Sequence, residues 1–235
     1  MIDHHGVASH TIANILWAHL SFERESEVLP GANMSERLAF LNSDIAAYYQ
    51  HAKVANRLPA LKEDNIKADS HPELRGNGVK AANTRSLLPY IKILQQQATA
   101  ANPTTKHNHM RKVVDSLQAA IDIMYEGAMI LPDSEVVALR RHLTRFGQHY
   151  KALHDLAIEE ETTRWKIVPT FHFVVAHLAT QAELINPRYV QGYTSESMVG
   201  EVCQIYAQSQ SGPFHAKIQE VVLLKYRTGF KLLWC

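Results

Sequence analysis

Cysteine is nearly absent from this chain, with Cys203 and Cys235 the only two in 235 residues. One lies in an expected helix and one at the extreme C-terminus, so the sequence writes neither a disulfide framework nor a cysteine-rich zinc site, and a reducing intracellular compartment is expected. Glycine and proline are sparse too, at 10 and 9 residues. With 46% hydrophobic and 20% charged residues, this excludes collagen-like, linker and disordered chains and leaves a soluble globular class. An excess of either charge is also missing. Lys plus Arg number 24 against 23 acids, so bulk electrostatics would not hold the chain on nucleic acid or membrane, and only a local basic patch could. No apolar run approaches the roughly 18 residues of a membrane span, and "MIDHHGVASH" lacks the n- and h-regions of a signal peptide. The expectation is a chain neither secreted nor membrane-embedded. Its abrupt start on a dense polar cluster suggests a fragment.

What is present is helical periodicity. Val7, Ile12, Ile15, Leu16 and Leu20 follow an i, i+3/i+4 pattern, and Leu38, Leu41, Ile45, Tyr48 and Tyr49 repeat it after a turn at Pro30 and Gly31. Residues 58–78 break into Pro59, Asp64, Asn65, Asp69, Pro72, Gly76 and Gly78, which reads as a long loop with a short helix around Ala60 to Glu63. "VKAANTRSLLPYIKILQQQATAA" resumes the period, and Pro89 is expected to kink or divide it, because proline lacks the amide proton and crowds the preceding turn. Long helices are then expected from Thr105 to Met129 and from Ser134 to Thr163, the second N-capped by Asp133, with another beginning near Pro169. Two more, about Ser195 to Gln210 and Pro213 to Leu233, would close the chain. Strand signals are weak, and Tyr189 to Tyr193 is the one plausible extended piece. The fold class is therefore all-α, an irregular multi-helix bundle, read as a single helical domain over 1–235.

Histidine is the compositional outlier, at 14 residues. His142, His149 and His154 occupy helix positions that need no function. Asp3, His4 and His5 differ, because a carboxylate and two imidazoles before a helix could bind a divalent metal or position a water; a solvated helix entry with incidental histidines is the competing reading. In "FHFVVAHL" the five-residue spacing of His172 and His177 does not place both rings on one face of an α-helix, which argues against a two-histidine zinc site there. No Gly-rich phosphate loop and no GxSxG elbow occurs, and Cys203 reads as a small buried hydrophobe.

The order of short motifs carries more. Asp3-His4-His5-Gly6 is followed by Lys80, Ala81, Arg85, Leu87 and Leu88, then by Phe171, His172, Val174, His177 and Leu178, then by Glu196 with Gly200 four residues on. This succession resembles the later half of the DDE/D transposases of the CACTA type and their relatives. The resemblance covers Asp3 to about Val202. The chain departs from the pattern at Ser197, Met198 and Val199, where the family usually has a bulky polar residue and asparagine. The family's first catalytic aspartate lies upstream in a β-rich region that this chain does not include.

The resemblance implies the helical portion of an RNase H-like transposase, with catalytic-domain remnants at 1–10 and 187–210. Strand transfer at a phosphodiester uses two divalent ions held by carboxylates from distant parts of the chain. Asp3 and Glu196 would be two of them, as catalytic residues and ligands of Mg²⁺ or Mn²⁺. Lys80, Arg85, Lys166 and Arg188 are the candidate DNA contacts, and His4, His172, His177 and Gly200 support the site. The partners implied are DNA and, in a homo-oligomer, further copies of the chain, with a nuclear location and no membrane. With two of three carboxylates the isolated chain is expected to be inactive. Two rivals stand beside this reading: a non-enzymatic helical scaffold or interaction protein, and a histidine-carboxylate metalloprotein using His4, His5 and later histidines.

Overall fold

Helical periodicity carries through to the computed structural model, which describes residues 6–21, 28–66, 72–76 and 79–189. The described residues up to Arg188 belong to one compact unit. Among them stand seven α-helices and no strand: α1 Val7–Leu20, α2 Met34–His51, α3 Ala81–Ala101, α4 Thr105–Glu126, α5 Asp133–Glu159, α6 Pro169–His172 and α7 Leu178–Gln181. The all-helical expectation holds for these residues. The helices expected at about Ser195 to Gln210 and Pro213 to Leu233 lie outside them.

The first helix sets the architecture. Thirteen residues of α1 are buried and only Trp17 reaches solvent part-way, so α1 is enclosed on all sides and not only along its apolar stripe. It packs against α2, α3, α4 and the 3₁₀ turn Glu63–Ile66. Ile12, Ile15, Leu16 and Leu20 each gain about 1.5–3 kcal/mol from burial. Ser9, His10, Asn14 and His19 are buried with them, and a buried polar group costs more than it returns unless it is hydrogen-bonded.

Each of these four finds a partner, whereas the hydroxyl of Thr11, also buried in α1, has none among the described residues. Ser9 Oγ donates to Gly6 O at 3.0 Å, and His10 Nδ1 donates to Pro72 O at 3.3 Å, which ties the 72–76 segment to the helix. Asn14 Nδ2 donates to His10 O, and its Oδ1 accepts the Trp165 N–H at 2.8 Å from far along the chain. His19 Nε2 donates to Gln95 Oε1 at 3.2 Å, and Gln95 Nε2 donates to His107 O at 3.3 Å, so one amide links α1, α3 and α4. Burial holds the His19 imidazole down at about 4, against an ordinary value of 6.5; the Gln95 hydrogen bond opposes this and His107 adds to it.

Trp165 explains why Asn14 matters. Its φ is 53° in the left-handed region and its side chain is 1% exposed, packed edge-on to Tyr150 at 5.3 Å. A bulky residue there costs about 1–2 kcal/mol, which the burial of the indole and the Asn14 bond offset. Two other left-handed residues end helices. Lys53 and Glu161 follow α2 and α5, and Val54 N to Tyr49 O (3.0 Å) and Thr162 N to Ala157 O (2.8 Å) close the last turns in Schellman fashion.

Several boundaries differ from expectation. Pro89 does not divide α3, because Leu87, Leu88, Tyr90 and Ile91 on either side of it are buried and hold one continuous helix. α4 stops at Glu126, three residues early, with Gly127 as its C-cap. Asp133 is the first residue of α5 rather than its cap; Pro132 holds that position, and the helix ends at Glu159. In the 58–78 loop the helical turn is Glu63–Ile66, not Ala60 to Glu63, and Asn65 fixes it by donating through Nδ2 to Arg75 O at 2.9 Å. Pro187–Tyr189 is a 3₁₀ turn, and the rest of the extended piece expected from Tyr189 to Tyr193 lies outside the described residues.

Asn14→Ala leaves the buried Trp165 N–H without its acceptor and should cost about 1–3 kcal/mol, read as a lower urea midpoint. The His19 environment has a pH signature of defined sign. Its folded pKa lies below the unfolded one, so its contribution is complete above pH 6.5 and is lost as the pH falls toward 4, to a limit of about 3 kcal/mol. Urea titrations at several pH values should show that fall, and His19→Gln should flatten it; an unchanged slope would contradict the buried neutral imidazole.

Candidate functional site

Asp3, His4, Glu196 and Gly200 lie outside the described residues, and so does the carboxylate pair expected to hold metal. Among the described residues no group of three or more His, Cys, Asp or Glu side chains could hold a metal ion. No helix among them is long and apolar enough to cross a membrane.

The structure brings two of the four candidate DNA contacts together. Arg85 of α3 lies with its guanidinium carbon 3.9 Å from the centre of the Tyr125 ring, and Arg188 lies 4.8 Å from the same centre. Arg188 also donates through Nη1 to the Tyr125 carbonyl. Cation–π attraction explains why two like charges share one ring: the electron-rich face offsets part of their repulsion while the N–H edges keep their donors. Lys80 is exposed at the N-cap of α3, and Lys166 is exposed after α5, its carbonyl accepting the Tyr150 hydroxyl at 3.2 Å. Neither side chain joins the Tyr125 cluster.

His172 and His177 overturn the expectation drawn from their spacing. Phe173–His177 forms a π-helical turn in which Leu178 N donates to Phe173 O, so residues five apart stack on one face. The two rings, both exposed, meet edge to face with centres 5.2 Å apart. The turn is seated by Phe171, Val174 and Leu178, all buried, against α5. Gly147 makes that approach feasible, since a Cβ there would sit 2.8 and 3.0 Å from the two methyls of Val175.

A second histidine pair went unrecognised in the sequence. His109 of α4 and His149 of α5 stand with Nδ1 atoms 2.9 Å apart and ring centres 5.0 Å apart, so one ring donates to the other. Both pKa values are lowered from 6.5. Partial burial is the main cause for each; Lys112 adds to it at His109, and at His149 the neighbouring His109, Lys112 and Arg145 do so. The available signal was the hairpin itself: the two residues are equidistant in sequence from Met129, in the turn between antiparallel helices. The pKa of His142, two turns back along α5 from His149, is lowered by partial burial, then by Arg141 and Arg145.

No family model matches the chain, and neither any curated protein nor any solved structure shows a significant match to it.

Gly147→Ala tests how tightly the π-turn seats on α5. Helix propensity alone would favour alanine by up to about 1 kcal/mol, whereas overpacking a rigid valine costs about 1–3 kcal/mol. The expected net effect is a loss of about 1 kcal/mol on denaturant unfolding, removed when Val175→Ala is combined with it. A gain in stability from Gly147→Ala alone would mean that the approach is looser.

Proposed function

We propose that this chain is a transposase-derived protein or fragment of the DNA strand-transfer type, whose helical unit contacts DNA and which is not catalytically complete by itself. The observation that carries the proposal is the meeting of Arg85 and Arg188 on Tyr125. Arg85 belongs to the second motif of the series and Arg188 precedes the last, so the two come from distant parts of the chain. Guanidinium groups held by an aromatic face are pre-oriented, so less side-chain freedom is lost when they engage a phosphate. The near-neutral net charge limits such binding to patches, and this cluster is one of them.

Mg²⁺ or Mn²⁺ chemistry, held by Asp3 and Glu196, belongs to the same proposal, as do a homo-oligomeric state and a nuclear location. The RNase H-like link rests on the motif order. The scaffold reading keeps a specific observation in its favour: Met129, Ile130 and Leu184 are 54%, 62% and 79% exposed, and apolar side chains left in water suit a protein partner.

Fluorescence anisotropy with a labelled duplex, run across a salt series, separates the two readings. Arg85→Ala with Arg188→Ala should weaken binding by at least about tenfold at low salt and reduce the slope of log K against log salt by about 2, with the circular dichroism spectrum unchanged. Undetectable binding by the unaltered chain, or an unchanged slope in the double variant, would leave the scaffold reading in place.

A further inference from the structure

On one side of His109 and His149 the α4–α5 seam carries bases without a carboxylate partner, while on the other Lys106, one turn along α4, is paired with Glu160 at the end of α5. Lys112 lies one turn along α4 from His109, and Arg145 lies one turn along α5 from His149, with Arg141 and His142 a turn beyond. Lys112 and Arg145 are both near enough to act electrostatically on the pair. None of Lys112, Arg141 and Arg145 has a carboxylate partner among the described residues. The surrounding acids are engaged elsewhere: Asp115 with Lys92 and Arg111, Glu160 with Lys106, Asp155 with Lys151, and Glu183 with Arg140. Asp122, Glu126, Asp133 and Glu135 lie three or more turns from His109 and His149 along their helices, toward the α4–α5 turn, and Glu159 lies at the far end of α5, nearly three turns beyond His149. The π-turn segment packed on α5 contributes only His172 and His177 as titratable groups.

Two imidazoles 2.9 Å apart suggest a metal ion first, since two nitrogens at that separation suit adjacent positions around one. The charge around them argues otherwise. A divalent cation would enter a seam already lined by a lysine and an arginine, with no carboxylate to balance it. An anion meets the opposite situation. It is drawn by the two permanent charges, and it offsets the penalty those charges place on adding one proton to the neutral imidazole pair.

We propose that this seam is a binding site for a phosphate-bearing anion, in which Lys112 and Arg145 supply permanent charge and the His109–His149 pair takes up a proton as the anion enters. In the free protein one Nδ1–H donates to the other Nδ1, and the pair is neutral. In the bound state the second proton, taken from solvent, breaks that bond, and both Nδ1–H groups donate to phosphate oxygens. The shared chemistry is a phosphate group, whether of a nucleic acid backbone or of a free phosphorylated compound. The site does not rest on the DNA-binding reading, because it uses none of the residues on which that reading stands.

The test is calorimetry of the full chain with tripolyphosphate at pH 8.0 and pH 6.5, in buffers of different ionisation enthalpy, with folding checked at both. Binding should tighten about five- to tenfold at the lower pH, with uptake of close to one proton. Arg145→Glu, a change at an exposed position, should abolish it, and His149→Phe should keep weak binding but lose the pH dependence. A labelled single-stranded oligonucleotide then distinguishes the sources. Affinity rising with oligonucleotide length, lost in Arg145→Glu, identifies a nucleic acid backbone, whereas tripolyphosphate binding as tightly as any oligonucleotide identifies a free phosphorylated ligand. Binding that is absent or independent of pH, or unaffected by Arg145→Glu, overturns the proposal, and so does stoichiometric Zn²⁺ binding lost in His149→Phe.

Discussion

Enclosing α1 is the constraint on which the other elements depend. A helix buried on every side cannot leave Ser9, His10, Asn14 and His19 to water, so the surrounding chain must supply their partners: Pro72 in a loop, Gln95 in α3 and Trp165 beyond α5. Apolar burial supplies the driving force, while these bonds determine where each segment sits against the helix. This accounts for features that look costly in isolation. A tryptophan in left-handed conformation and a neutral buried histidine both persist because a bond to or from α1 depends on them.

Around that centre, the α4–α5 hairpin acts as a platform. Its inner face packs on α1 and α3, while its seam carries charge that the core does not use. On its other side Gly147 admits the π-turn, which turns His172 and His177 to the same face. The arginine pair on Tyr125 lies near the end of α4. Among the described residues one hairpin thus carries or borders the three basic or histidine-rich clusters described above, each reached by a different segment of chain.

Much of this was legible in the residues. The 3.6 period found α2 and located α3, α4 and α5 to within a few positions at each end, because their buried faces repeat at helical spacing. What escaped had non-local causes. Pro89 was read by its local cost, which flanking burial outweighs. Trp165 adopts a conformation that only its tertiary bond makes tolerable. The His172 and His177 faces depended on a π-turn that α-helical geometry does not anticipate, and the His109–His149 contact depended on the register of two helices. Of the candidate site, the meeting of Arg85 and Arg188 on Tyr125 had no signal in the sequence, because it depends on how the segment after α7 returns to the end of α4, and Asp3 and Glu196 fall outside the described residues.

The position of α1 has a consequence for biosynthesis. Asn14 is bonded to a residue 151 positions later, so at roughly 5–20 residues per second the helix would wait about 8–30 s on the ribosome before its last partner is made. During that interval the most apolar helix of the unit has its neighbours only in part. A chain arranged in this way depends on being shielded as it emerges, and its yield in a foreign host should respond to slower synthesis or to added chaperone more than to any change at its surface.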